Sequence, residues 1–169
     1  KEILSSGKRG IGKCGSIIKK EHFVKRFKLY EKQSQKDFKL NKQQRNAVKH
    51  IVTSKDKVTA IQGLPGVGKS TVLEAVKDRT GGKINPLGTA PTASAAKTLQ
   101  DSSGIESKTL HSFIGKHRGY LEGRGVKSLA EMQSKFKKSI VFVDEASLVG
   151  TRQMHDLLNL SEILKFRVV

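Results

Sequence analysis

Cysteine is all but missing from this chain of 169 residues, with Cys14 the single instance. One thiol excludes an internal disulfide framework and a metal site built from cysteines, so the default expectation is a reducing cytoplasm. Long apolar runs are missing too: no stretch approaches the ~18 residues that a membrane-spanning helix needs. The start has no apolar core of a secretion signal, and it begins at a lysine, which reads as a piece of a longer protein. Acidic side chains are scarce, 15 against 33 basic, leaving a formal net charge of +18. Such a field favours a polyanionic partner. No internal repeat or low-complexity tract is visible.

The length suits one domain. The basic excess is concentrated in residues 1–40, with twelve Lys/Arg against four Asp/Glu, and in 115–138, with seven against two. A solubilising surface would explain part of it, but two basic regions bracketing a common core point to nucleic-acid contact. No basic segment has the broad apolar face that a membrane-surface helix requires.

The hydrophobic pattern predicts a basic linker and peripheral helix over 1–39, with Phe23, Phe27 and Tyr30 on one helical face, then a helix over about 42–53. Asn41 and Gln44 form a capping-box pattern at its start. Strands near 57–62 and 84–90 and a strand at 139–143 alternate with helices near 69–79, 93–101, 129–136 and 151–158. KFRVV reads as one more buried strand. GKHRGYLEGRGVKS, with four glycines and many charges, reads as a surface excursion. Alternating strands and helices imply an α/β fold with a mostly parallel sheet flanked by helices.

Residues 63–71, GLPGVGKST, follow the first of these strands and open a helix, the context that a phosphate-binding loop demands. Gly63, Gly66 and Gly68 permit backbone conformations that a Cβ would block, and with Leu64, Pro65 and Val67 they would turn successive amides onto phosphate oxygens. Lys69 would reach the β and γ phosphates of ATP. The Ser70 hydroxyl would bind Mg²⁺, and Thr71 completes the helix start, whose dipole favours an anion.

IVFVDEAS ends a buried strand in two acids, at the rim where open α/β sheets bind ligands. Asp144 there suits the Mg²⁺ shell and Glu145 the activation of an attacking water. Two acids capping the next helix is the plainer reading of such a pair, and the phosphate loop weighs against it.

LNKQQRNAV, GLPGVGKST, GTAPTASAAKTL, SKTLHSFIG and IVFVDEASLVG occur in an order that resembles the RecD-like branch of superfamily 1 helicases, with wording similar to the helicase part of conjugative relaxases. The resemblance covers about residues 40–169 and implies a first RecA-like P-loop domain, incomplete at its end. It stops before the GDxxQ segment and the second RecA-like domain that supplies arginines in the family. It implies that Gln44 reads the adenine edge, although the capping box explains the same residue. It places Pro91, Thr92 and Lys97 against a single-stranded DNA backbone, with Thr92 equally readable as a plain helix cap. His111 and Ser112 would lie near that path, although a histidine beside a phenylalanine is often simply packed. Lys116, His117, Arg118 and Arg124 are candidate backbone contacts on charge alone.

The function implied is an ATP-dependent DNA helicase travelling 5′ to 3′, part of a conjugative relaxase, with single-stranded DNA, a second RecA-like domain of the same parent chain and conjugative transfer proteins as partners. A repair helicase of the same branch, or a non-catalytic DNA-holding or recruitment module, would share the fold. The intact Lys69, Ser70, Asp144 and Glu145 argue against the last.

Overall fold

A computed structural model describes Ser5, Lys8 and residues 10–33, 40–63, 68–125 and 127–169; the statements below concern these residues. Leu64, Pro65, Gly66 and Val67 of the phosphate loop and the Tyr30 side chain lie outside them.

Helix α1 (Lys20–Gln33) precedes α2 (Lys42–Thr53), whose start is fixed by a reciprocal cap: the Asn41 side chain accepts from the Gln44 amide at 2.9 Å and Gln44 Oε1 accepts from the Asn41 amide at 3.0 Å. Helix α3 (Lys69–Thr80) ends where Gly81 takes a left-handed conformation and α4 (Ala93–Ser103) is capped by Thr92, with strand β1 (Asn85–Ala90) between them. A short strand β2 (Ser107–Thr109) leads into α5 (Leu110–Leu121), followed by α6 (Leu129–Phe136), β3 (Ser139–Val143), a 3₁₀ turn at Ala146–Leu148, α7 (Thr151–Leu164) and β4 (Arg167–Val168).

All described pairings are parallel, in the order β2-β1-β3-β4, and Val58 bridges to Val168 beyond β4. Parallel strands need crossovers, and the intervening helices supply them on both faces. Alternate residues of β3 face opposite layers. Ile140 and Phe142 pack with Val48, Ile51, Val72, Val76, Phe23 and Phe27, whereas Val141 packs with Leu110, Phe113, Leu157, Leu160 and Phe166. Burial on both sides is why SIVFV reads as an unbroken apolar run. Gly88 allows β1 and β2 to close up, since a Cβ there would stand 2.0 Å from Ser107 Oγ.

Three expectations change. The segment over 57–62 is not a regular strand and, among the described residues, joins the sheet only by the bridge of Val58 to Val168. The helix beginning at Thr151 runs on to Leu164, because Leu160, Ser161 and Leu164 continue its buried stripe. Residues 115–121 are not a loop. They continue α5, whose buried Phe113, Ile114 and His117 supply the packing that outweighs the helix-weakening glycines. His117 lies within 5.0 Å of the Phe113 ring and 5.2 Å of the Phe136 ring by centroid and is 6% exposed, so it is a core residue and not a backbone contact.

Within the segment expected to be a linker, residues 10–18 are tied to the body. The Cys14 amide donates to the Lys55 carbonyl, Ile18 to Val52 and Lys57 to Gly10, all at 2.8–2.9 Å, and Gly12 donates to Asp56 Oδ1. Ile18, Phe23 and Phe27 are buried in the same cluster as Val48 and Val76.

Candidate nucleotide site and strand path

The parallel sheet aligns the carboxyl ends of its strands, so Ala90, Thr109 and Val143 deliver their following segments to one edge, the edge where α/β sheets bind ligands. Helix α3 begins there. Its N-cap, Gly68, has φ +79° and no side-chain cap, and its first turn carries no acid. Uncapped amides with Lys69, Ser70 and Thr71 at the positive end of a helix suit a phosphate group. Lys69 Nζ donates to the Gly63 carbonyl at 3.2 Å, drawing the two ends of the loop together.

Gln44 comes from another element to the same place. A Cβ on Gly68 would stand 2.5 Å from Gln44 Nε2, so the cap of α2 and the end of the phosphate loop are in contact. The two readings of Gln44 are thus compatible: Oε1 serves the cap while the amide nitrogen lies against the loop.

Opposite, Asp144 and Lys69 line one cavity of about 220 Å³, with Thr59, Ala60, Val72 and Met154 among its walls. The Asp144 amide donates to the Thr89 carbonyl at 2.9 Å, and Asp144 Oδ1 accepts from the Glu145 amide at 3.0 Å. Buried Thr89 donates its hydroxyl to the Phe142 carbonyl at 2.9 Å, stitching β1 to β3 just before the acidic pair. Sequence reading gave Thr89 no part in the site, since a threonine in a short strand that also holds Asn85 carries no signal of these two bonds. Glu145 is exposed and has φ +50°, a left-handed conformation that costs a non-glycine residue ~1 kcal/mol or more. Glu145 stands at the N-cap position of the 3₁₀ turn, yet its side chain makes no capping hydrogen bond there.

The described parts fit ATP with Mg²⁺. An ammonium, two hydroxyls and a bare helix end gather negative charge, and a carboxylate across the cavity suits a hard cation. Among the described residues no cluster of three or more His, Cys, Asp or Glu could hold a metal unaided.

The expected strand-binding residues sit on the same edge. Ala90 pairs with Thr109, so Pro91–Thr92 and His111–Ser112 follow adjacent strands. Thr92 accepts from the Ala95 amide and Thr109 from the Ser112 amide, both at 3.1 Å, so two neighbouring helix starts face solvent there. Lys97, His111 and Ser112 are exposed. His111 is therefore not packed beside Phe113, which points into the core.

This geometry defines the class: a P-loop α/β nucleotide-binding domain of the RecA-like kind. The chain belongs to the AAA domain family, whose model matches residues 39–169. It is similar to the multifunctional conjugation protein TraI of Escherichia coli strain K12, 31% identical over 121 residues that make up 69% of this chain, and to a second Escherichia coli TraI, 30% identical over 115 residues, 65% of this chain. Each match spans 6% of the relative's own length. The likeness to the helicase region of conjugation proteins that the motif order carries is the likeness found. The chain is a helicase-like ATP-binding module, and among its described residues no helix is long and apolar enough to cross a membrane.

Proposed function

We propose that this chain is the first motor domain of an ATP-dependent DNA helicase that travels 5′ to 3′ along single-stranded DNA within a cytoplasmic conjugative relaxase. The observation that carries the reading is the meeting of Lys69 and Asp144 on one cavity at the carboxyl edge of the sheet. When bound, Mg²⁺-ATP supplies the phosphoanhydride whose cleavage releases free energy. The loop from Gly63 to Thr71 would hold the phosphates, with main-chain N–H donors from its residues other than Pro65, which has none and would serve only to shape the turn. Lys69 would neutralise charge that grows at the transferred group. Ser70 and Asp144 hold the metal. Glu145 orients a water and takes its proton, and Gln44 contacts the adenine edge.

Pro91, Thr92, Lys97, His111 and Ser112 form a strand-binding ledge beside the nucleotide. Because β1 carries Thr89 and runs into Pro91, a change at the Asp144 turn reaches the ledge through one strand. A second RecA-like domain of the parent supplies the remaining transition-state charge, and the parent works with conjugative transfer proteins. A shared RecD-like repair role is the second reading, separated by whether a relaxase domain precedes this region in the parent gene.

Lys69→Ala in the parent protein tests the motor. The expected result is loss of strand separation with single-strand binding retained; unchanged unwinding would refute the assignment.

A further inference from the structure

The opposite edge of the sheet carries a second basic surface, away from the residues assigned to nucleotide and strand. Lys57, Lys137 and Arg167 all stand at the amino ends of parallel strand segments, and with Lys13 and Lys165 they line an open groove of about 900 Å³. Glu162 is its one carboxylate. A second hollow of about 380 Å³ shares Gly15, Lys137 and Arg167 with the first and adds Lys83 and Lys138, with no acid. β1 is six residues long, so this surface lies on the order of 20 Å from the nucleotide edge.

The groove is built, not a chance scatter of lysines. One wall is the strap of residues 10–18, fastened to 52–57 by main-chain bonds, and Arg167 ties the two together by donating from Nη1 to the Ser54 carbonyl at 3.1 Å and from Nη2 to the Gly15 carbonyl. Those two acceptors are neutral; burial lowers the Arg167 pKa while Cys14 and the Asp56 carboxylate oppose it, so the guanidinium keeps its charge with one acid in its surroundings. Burial lowers the Lys57 pKa, with nearby Lys165 adding to the effect and Cys14 and Glu162 opposing it, so the ammonium is partly sunk in the groove wall beside a second cation. Lys165 itself has φ +67°, and it and Glu145 are the described non-glycine residues with positive φ. Glycine is the unstrained choice at such a helix end, yet a cation stands there.

We propose that this amino-edge groove holds duplex nucleic acid by its phosphates, opposite the single-strand ledge. Charge complementarity selects a polyanion. Proteins that grip single strands combine a basic groove with aromatic stacking platforms, and among the described residues no aromatic side chain lines either hollow. Contacts limited to phosphates demand only the regular charge spacing of a duplex and give no sequence preference. The inference needs no nucleotide binding and stands apart from the ATPase reading.

Fluorescence anisotropy with the purified chain and labelled probes, a 20-base-pair duplex, a 20-base single strand and polyglutamate, over a salt series tests it. Lys165→Gly removes one groove cation while relieving the left-handed strain, and Lys137→Glu/Lys138→Glu reverses two exposed charges. Lys25→Glu/Lys49→Glu on α1 and α2 matches the second change in net charge. The expected result is a several-fold weaker duplex for Lys165→Gly and at least tenfold for the double variant. The salt slope should fall by ~1 and ~2 respectively, with single-strand affinity and the control variant little changed. Lys165→Gly should melt no lower than wild type, which separates lost contacts from lost folding. Duplex binding unchanged in both groove variants overturns the proposal. So does an equal loss of single-strand binding, and so does a loss confined to polyglutamate, which would assign the groove to an acidic protein.

Discussion

Gln44 Nε2 lies where a methyl group on Gly68 would be, 2.5 Å from the position of that absent Cβ. One glycine therefore serves two demands, a positive φ of 79° and room for a side chain from another helix. Gly68→Ala is expected to destabilise the domain by roughly 1–3 kcal/mol and to weaken nucleotide binding. Adding Gln44→Ala should recover the steric part and not the conformational part. Thermal melts and titration with a fluorescent ATP analogue of the two single variants and the double would show it; full additivity would mean that the two residues do not touch in solution.

On the proposed function, Glu145 and Asp144 should separate ATP binding from hydrolysis. Glu145→Gln is expected to bind ATP normally and lose hydrolysis by about 10²-fold or more, the scale of general-base removal. Glu145→Gly should lose the same activity yet raise the melting temperature, since it relieves a strained left-handed residue. Asp144→Asn should lower the response to magnesium. Calorimetric titration and phosphate-release assays distinguish the three.

Burial pushes the His117 pKa down to about 4, with Lys116, Lys108 and Lys135 adding to the effect. Because the unfolded imidazole titrates near 6.5, the unfolded chain gains a proton first as pH falls. Stability is then fully present above pH 6.5 and declines towards pH 4. The loss between pH 7 and 5 from this residue is about 2 kcal/mol. His117→Phe should flatten that dependence in urea unfolding at the two pH values, and an equal slope in wild type and variant would contradict the buried neutral imidazole.

Phe27 is 4% exposed, packs at 5.0 Å from Phe23 and carries Arg79 over its face at 4.0 Å. Phe27→Ala is expected to cost ~3–5 kcal/mol, and deletion of residues 1–39 at least as much, since both strip the same cluster. A truncated chain that melted as wild type does would show that α1 is an appendage and that the domain begins near residue 40.

The alternation of strand and helix, the capping box at Asn41 and the unbroken run SIVFV were legible because each is a local pattern tied to backbone geometry. The same holds for the phosphate loop, since glycine spacing and a following Lys-Ser have few other physical uses. The stretch 115–121 was not legible: its glycines argue for a loop, and only the aromatic cluster of Phe113, Phe136 and Phe166 makes it a helix. Tertiary packing overrides propensity where several rings converge from distant segments.

What the sequence determined by itself is the chemistry on offer: an ammonium, hydroxyls, two carboxylates and a large excess of positive charge, each in a fixed local setting. What only the tertiary structure decided is which of these meet. The packing of a helix on the sheet brought Lys69 to the cavity that Asp144 lines. Parallel pairing set Ala90 beside Thr109 so that Pro91 and His111 follow adjacent strands, and the strap of residues 10–18 closed a basic groove on the far edge. Pairing register and long-range packing depend on residues far apart in the chain, and no local pattern carries that information.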